Sequence, residues 1–144
     1  MRANTFGFYS LNGNNVVEFK ENSKKESVCE FLERVRERNP DGKIVMILDN
    51  FRSHWANMTR ETAEELNIEL IFLPTYSPDL NPIEYIWKSI KRIISPIFFK
   101  CRETFLEMIE KSFYKLAEKM SFAMKWLKTF LPIKSEGDMS LTIV

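Results

Sequence analysis

Residues 73–87 read LPTYSPDLNPIEYIW, a loop with three prolines that leads into an amphipathic segment. Each proline fixes its own φ angle and disfavours helix in the residue before it, so the stretch predicts an extended loop. Asn81 is typical of an N-cap and Pro82 of the first helical position, which predicts a helix from there to about Ser95. The first turn of that helix carries Glu84.

Upstream of this loop, strands and helices alternate. Residues 43–48, a lysine followed by the apolar run IVMIL, are too short for a helix and predict a central parallel strand that ends at Asp49. A helical pattern over 53–66 and an apolar run over 68–73 follow, and together they predict a right-handed crossover to a second parallel strand. The other predicted elements are a β-hairpin over Thr5–Leu11 and Val16–Lys20, a helix capped by Ser23 and ending before Asn39, and a longer helix from Glu103 to about Leu127.

Composition excludes several classes of protein. The 144 residues are 44% hydrophobic and 28% charged, as expected of one globular domain. Two cysteines form no disulfide framework, which favours a reduced, cytoplasmic compartment, and no run is apolar enough for a membrane helix. Although the formal net charge is only +1, residues 85–134 carry eleven Lys and Arg against four Glu, so the rest of the chain is acidic. The basic half predicts contact with a polyanion.

Asp49 and Glu84 are the candidate metal ligands. Open α/β sheets place ligand groups beyond the carboxyl ends of their parallel strands, where Asp49 falls. A carboxylate in the first turn of a helix packed across that end could bind the same divalent cation. Local structure offers an alternative for each residue, since Asp49 could simply cap a helix and Glu84 could form a capping box with Asn81.

These residues resemble the mariner-type DDE transposases, which include insertion-sequence members. The resemblance covers residues 6–92 and rests on ILDN followed by His54, on the phrase LPTYSPDLNPIEYIW, and on the 34 residues between Asp49 and Glu84. It implies an α/β, ribonuclease-H-like (retroviral-integrase-like) mixed sheet with flanking helices, and a catalytic pair, Asp49 and Glu84, that binds Mg²⁺ or Mn²⁺. In that family the first catalytic acid lies on a central strand between the hairpin and the Asp49 strand, and we expect this chain to lack it.

Five further residues are candidates for the site. Asn50 and His54 could contact a phosphate or the hydration shell of the metal, although an isolated histidine is more often structural. Three cations on the Glu84 helix could follow a DNA backbone, or could simply be solvated; they are Lys88, Lys91 and Arg92. Trp87 shares the apolar face of the helix, which predicts a core residue.

The resemblance implies a DNA transposase catalytic domain that cuts and joins phosphodiesters, over residues 1–133, with a flexible tail over 134–144. We expect it to be incomplete and inactive alone. An alternative is a non-catalytic, DNA-binding or regulatory remnant that associates with an intact transposase. The expected partners are DNA, both element ends and target, and further copies of the chain or an intact transposase. No membrane or small-molecule substrate is expected, and in a prokaryote the protein would associate with the nucleoid.

Overall fold

The computed structural model describes residues 2–11, 13–48, 56–74 and 81–119 and the backbone of 139–143. These residues form a mixed α/β fold of five strands and four helices. The elements are β1 (Asn4–Ser10), β2 (Val16–Lys20), α1 (Lys25–Arg38), β3 (Ile44–Leu48), α2 (Ala56–Glu65), β4 (Ile68–Phe72), α3 (Ile83–Ile94), α4 (Arg102–Ala117) and β5 (Met139–Ile143). No helix in the described part is long and apolar enough to cross a membrane.

The five strands form one sheet in the order β2-β1-β5-β3-β4. The predicted hairpin is confirmed, because β1 and β2 pair antiparallel, and the predicted crossover strands are confirmed by the parallel pairing of β3 with β4. The strand β5 lies between them, antiparallel to β1 and parallel to β3. The central position that we expected to be empty is therefore occupied by the strand that comes last in the chain.

Helices cover both faces of the sheet, and alternate residues of each strand point to opposite sides. On one side, β1 and β3 pack against α1 through Phe6, Phe8, Met46 and Leu48, all of which are buried. On the other side, Tyr9, Val17 and Ile47 pack against the buried faces of α3 and α4, which present Ile83, Ile86, Ile90, Phe105, Ile109 and Phe113. The sheet therefore has two hydrophobic cores, and α3 belongs to the second.

The amino end of α1 differs from the prediction. Ser23 does not cap the helix, which begins at Lys25. Instead, the side-chain oxygen of Asn22 accepts hydrogen bonds from the Lys24 backbone N–H at 2.9 Å and from the Ser27 hydroxyl at 3.0 Å. Because an Asn side chain can bond to backbone groups two residues on, Asn22 turns the chain before the helix starts.

The carboxyl end of α1 is tied to its surroundings by two polar side chains. Asn39 accepts a hydrogen bond from the Asn14 N–H at 2.7 Å and donates to the Asn14 carbonyl at 3.1 Å, which holds the hairpin loop against the helix. The guanidinium of Arg36 donates to the carbonyls of Gly42, Leu66 and Asn39. These bonds join the loops that precede β3 and β4, and so position the two parallel strands.

Two predicted boundaries need comment. The last long helix, α4, ends at Ala117 rather than near Leu127, and residues 118–119 are not helical. Residues 139–143 form β5, although the sequence pattern predicted no strand beyond 134. A five-residue segment in the interior of a sheet is held mainly by backbone bonds to its two neighbours, which a local pattern does not reveal. The division into 1–133 and 134–144 stays a prediction.

Candidate functional site

Glu84 lies in the first turn of α3, half-buried, beside a cleft of about 560 Å³. We call this the α3 cleft. Its walls are the start of β1, one side of α3 and the first half of α4, and its lining residues include Ala3, Asn4, Thr5, Phe6, Glu84, Trp87, Lys91, Phe105 and Ile109. The cleft combines a carboxylate, a cation and apolar walls, and it is open to solvent.

Strand register places the α3 cleft at the end of the sheet where β3 finishes. Leu48, the last residue of β3, pairs with Thr142 of β5, and Thr142 pairs with Phe8 of β1. Phe8 and Leu48 are therefore level in the sheet. Because β1 runs antiparallel to β5, residues 3–6, which line the cleft, lie beyond that level, in the direction in which β3 points. Glu84 thus lines a cleft that extends past the carboxyl end of β3.

The start of α3 is built as the sequence predicted, with the boundary shifted by one residue. The helix begins at Ile83, and Pro82 precedes it with φ −63° and ψ −22°. Asn81 is fully buried, and its side-chain oxygen accepts a hydrogen bond from the Ile83 N–H at 3.4 Å. The Glu84 N–H donates to the Asn81 carbonyl at 3.0 Å. These bonds fix the turn that carries the Glu84 carboxylate.

Trp87 anchors α3 to the sheet, which confirms its prediction as a core residue. Its ring stacks on Phe113 of α4, with centroids 5.3 Å apart. The far edge of the indole sits on the backbone of Gly7, so closely that a Cβ at that position would lie 2.5 Å from the Trp87 Cζ2. Gly7 was not among the predicted site residues, although a glycine within a strand often marks such a close approach. The buried indole N–H has no hydrogen-bond partner among the described residues.

The three predicted cations are all exposed on α3. Lys91 lines the α3 cleft together with Glu84. Lys88 lies over the Tyr85 ring, with its ammonium 5.9 Å from the ring centroid. Arg92 is exposed one residue beyond Lys91. The structure therefore brings one predicted cation, Lys91, to the same cleft as the predicted metal ligand.

The remaining predicted site residues, Asp49, Asn50 and His54, lie outside the described residues, so their positions stay predictions. No three carboxylate, histidine or cysteine side chains come together as a metal site within 2–11, 13–48, 56–74 and 81–119. Glu18, the first carboxylate in the sequence, is not among the residues that line the α3 cleft with Glu84. It lies on the edge strand β2, and its carboxylate pairs with Arg34 at 3.2 Å and Lys20 at 3.6 Å.

Comparison with known proteins gives the family. The family model described as DDE superfamily endonuclease matches residues 1–106, which is most of the chain. None of the curated proteins compared with the chain matches it. The chain belongs to the DDE superfamily endonucleases, as the motifs around Asp49 and Glu84 predicted.

Solved structures show the same fold. The catalytic domain of Mos1 mariner transposase is similar with a TM-score of 0.53 at 22% identity, over 72% of this chain and 63% of that one. The Mos1 strand transfer complex is similar with a TM-score of 0.54 at 23% identity, over 80% of this chain and 37% of that one. The chain spans less than two thirds of either protein. The predicted ribonuclease-H-like fold is confirmed.

Proposed function

We propose that the chain is a DNA transposase catalytic domain of the DDE type, in which Asp49 and Glu84 hold a divalent cation. One observation carries the proposal: Glu84 lines a cleft that extends past the carboxyl end of β3, and Asp49 is the next residue in the chain after β3. Membership of the DDE superfamily endonucleases supports the same reaction class. The substrate would be DNA, first at the ends of an element and then at a target.

Alternation along β3 supports the meeting of the two acids. Ile47 faces the core beneath α3 and α4, whereas Met46 and Leu48 face α1. Because residues i and i+2 of a strand share a face, continuing the strand by one residue would direct Asp49 toward the α3 side, where Glu84 lies. Without that alternation the two carboxylates would be on opposite sides of the sheet.

The donor set fits Mg²⁺ or Mn²⁺. Both candidate ligands are carboxylates, which hard divalent cations prefer, and the α3 cleft is open to the waters that Mg²⁺ retains. When bound, such ions activate the attacking oxygen and stabilise the leaving oxygen at a phosphodiester. Glu84 would be oriented by the hydrogen bonds at Asn81. We propose that Asn50 and His54 contact the phosphate or the waters around the metal.

A basic track would guide the DNA backbone to this cleft. Lys91 lines the same cleft as Glu84, two turns further along α3, and Lys88 and Arg92 are exposed on the same helix. Contacts of this kind fix position rather than sequence, because phosphates are the same at every step. Working on DNA, the protein would be found with it, in the nucleoid if the source is prokaryotic, and more than one copy would bind the two element ends.

We propose further that the chain is inactive by itself. Its central strand, β5, has the sequence MSLTI and contains no acid, so two carboxylates must hold the metal without help from that strand. The same observation favours a second function, that of a regulatory remnant which associates with intact transposase and lowers its activity. Added to intact transposase, such a remnant would inhibit cleavage in proportion to its concentration.

Metal binding tests the site directly. We expect the purified chain to bind Mn²⁺ weakly by isothermal titration calorimetry, and either Asp49→Asn or Glu84→Gln to weaken binding by at least about tenfold. Glu107→Gln, on the exposed side of α4, is the matched control and should leave the affinity unchanged. Equal affinities in all four proteins would refute the proposed metal site. Nicking of supercoiled plasmid by the chain alone would refute its proposed inactivity.

DNA binding tests the basic track. Each phosphate contact that is lost reduces the slope of log K against log salt by about 1, so Lys91→Gln should flatten that slope by this amount and weaken binding for every sequence. Lys43→Gln is the control, because Lys43 precedes the opposite end of β3 and pairs with Glu69. The same slope in both variants would contradict the track.

A further inference from the structure

The connection between α3 and α4, residues 95–101, forms an exposed apolar corner. Phe98 is 86% exposed, more than any other large hydrophobic side chain in the described part of the chain, and Ile93 and Ile97 are each 40% exposed. We call these three residues the Phe98 corner. Single exposed apolar residues are common, but a group of them rimmed by polar residues marks a surface that contacts a partner.

The Phe98 corner is held in place on both sides of the exposed ring. Before it, the Ile97 N–H donates a hydrogen bond to the Ile94 carbonyl at 3.0 Å. After it, the Phe99 ring packs edge-on against Phe105 of α4, with centroids 5.3 Å apart. Because the backbone is fixed before any partner arrives, binding through Phe98 would cost little conformational entropy.

The surface around the Phe98 corner is basic. Residues 88–102 contain five Lys and Arg and no Asp or Glu. All five cations are exposed; they are Lys88, Lys91, Arg92, Lys100 and Arg102. Such cations bind phosphates, and an exposed aromatic ring among them can stack on a nucleic-acid base or enter between two bases. The surface therefore complements DNA both in charge and in its aromatic group.

We propose that Phe98 is a DNA wedge, whose ring enters the base stack of a duplex that the surrounding cations hold by its phosphates. This inference rests on the proposed function, which supplies DNA as the partner. An apolar side chain between two base pairs unstacks them and kinks the duplex. Burial of the ring and closer approach of the phosphates to the five cations offset that cost. The bound duplex is therefore bent at the Phe98 corner.

The length of α3 predicts where the wedge enters the duplex. Glu84 and Ile94 are ten residues apart on the helix, which is a rise of about 15 Å. Phe98 lies a few residues further on. One base pair occupies about 3.4 Å of a duplex, so DNA that follows α3 is entered about four to six base pairs from the phosphodiester at Glu84. Lys91 lies between these two points and lines the α3 cleft.

A mismatched duplex tests the wedge. Unstacking costs least at a mismatch, so a single mismatch in a duplex of about 20 base pairs should direct Phe98 to that step. The full-length chain should bind this duplex at least about fivefold more tightly than the matched one. It should also raise the fluorescence of a 2-aminopurine placed beside the mismatch, because that base fluoresces more when it is unstacked.

Two variants of Phe98 decide whether the ring causes these effects. Phe98→Ala should bind both duplexes equally and leave the 2-aminopurine fluorescence unchanged, whereas Phe98→Trp should retain both effects. Because Phe98 is exposed, the alanine variant should keep the wild-type denaturation midpoint. Wild-type binding without a preference for the mismatch, or a preference that survives in Phe98→Ala, would overturn the inference.

Salt dependence separates the wedge from the charges around it. Phe98→Ala removes no charge, so it should weaken binding of the mismatched duplex about tenfold at every salt concentration and leave the slope of log K against log salt unchanged. Lys100→Gln should flatten that slope by about 1. Ile71→Ala is the matched control, because Ile71 is 43% exposed on β4, outside the basic surface, and it should bind as wild type. Equal losses in Phe98→Ala and Ile71→Ala would contradict the wedge.

An attached cleavage reagent tests the position of the wedge. Cys101→Ser removes the exposed thiol and Cys29 is buried, so an iron–EDTA group can be attached to the full-length chain at Glu84→Cys. It should cut the mismatched duplex about four to six base pairs from the mismatch. Cuts centred on the mismatch, or spread evenly along the duplex, would refute the inferred path of the DNA.

A second copy of the chain is another occupant that an apolar corner could have. A symmetric contact would bring the five cations of one copy against those of the other, which repulsion between like charges disfavours. Sedimentation velocity should therefore give the same association state for wild type and Phe98→Ala. If Phe98→Ala dissociates a dimer and leaves DNA affinity unchanged, the corner is an interface between copies and the wedge is wrong.

Failure of the wedge can be distinguished from failure of the proposed function. If Lys91→Gln flattens the salt slope but Phe98→Ala changes neither affinity nor 2-aminopurine fluorescence, the basic track stands and the wedge fails. If the wild-type chain binds no DNA even at low salt, the proposed function loses its substrate, and the inference that rests on it fails with it.

Discussion

Substitution of Gly7 by alanine would test how α3 is held to the sheet. The added Cβ would lie 2.5 Å and 2.7 Å from two atoms of the Trp87 indole and 2.9 Å from the Phe113 ring. Ordinary contact requires about 1 Å more, and the indole has little room to retreat because it is stacked on Phe113. Overpacking of this kind costs about 1–3 kcal/mol. We expect Gly7→Ala to lower the free energy of unfolding by an amount in the upper part of that range.

Urea denaturation followed by circular dichroism measures this cost, and a double-mutant cycle identifies its source. Trp87→Phe removes the two indole atoms that clash and leaves only the contact with Phe113, so the cost of Gly7→Ala should be at least about 1 kcal/mol smaller in that background. The clash should also shift α3 and with it Glu84, which would weaken Mn²⁺ binding. A loss for Gly7→Ala below about 0.5 kcal/mol, or strict additivity with Trp87→Phe, would refute the close contact.

Three further predictions concern polar contacts. Asn39→Ala removes the bonds to Asn14 and should cost about 1–2 kcal/mol in urea denaturation, with faster amide exchange in the hairpin loop as the specific sign. Arg36→Lys leaves some of the three carbonyls without a donor, because one ammonium cannot replace the several N–H groups of a planar guanidinium, and it should lower the free energy of unfolding by about 1–3 kcal/mol. The control Arg38→Lys, at an exposed position, should change it by less than about 0.5 kcal/mol. The pKa of Glu103 is held below its usual value by its own backbone N–H and by the Cys101 side chain. Because the pKa of Glu103 is lower in the folded than in the unfolded protein, its carboxylate stabilises the fold at pH values above its unfolded pKa. This stabilisation is lost as the pH falls through the folded pKa. An NMR titration that gives an ordinary pKa for Glu103 would contradict the prediction.

Patterns that act over a few residues were readable from the sequence. The run at 44–48 is apolar on both faces and predicted a central strand, and Asn12-Gly13 between two β-rich segments predicted a hairpin; β3 and the pairing of β1 with β2 confirm both. Asn81 and Pro82 predicted the start of α3 to within one residue. The Ser23 cap was wrong because Asn22, an equally suitable residue, lies beside it. Local sequence signals predict where a turn or a helix end falls, but they do not predict which of two adjacent polar residues makes the capping hydrogen bonds.

The sequence by itself determined the family and the candidate acids, because motif spacing and hydrophobic alternation are properties of neighbouring residues. It also placed Glu84 in the first turn of a helix. Only the tertiary structure decided that this turn lines a cleft reaching past the carboxyl end of β3, and that the Trp87 ring packs on the backbone of Gly7. It alone also decided that β5 completes the middle of the sheet. Each of these joins segments that are distant in the chain, and such pairings depend on which edges and faces are left unfilled once the local elements have formed.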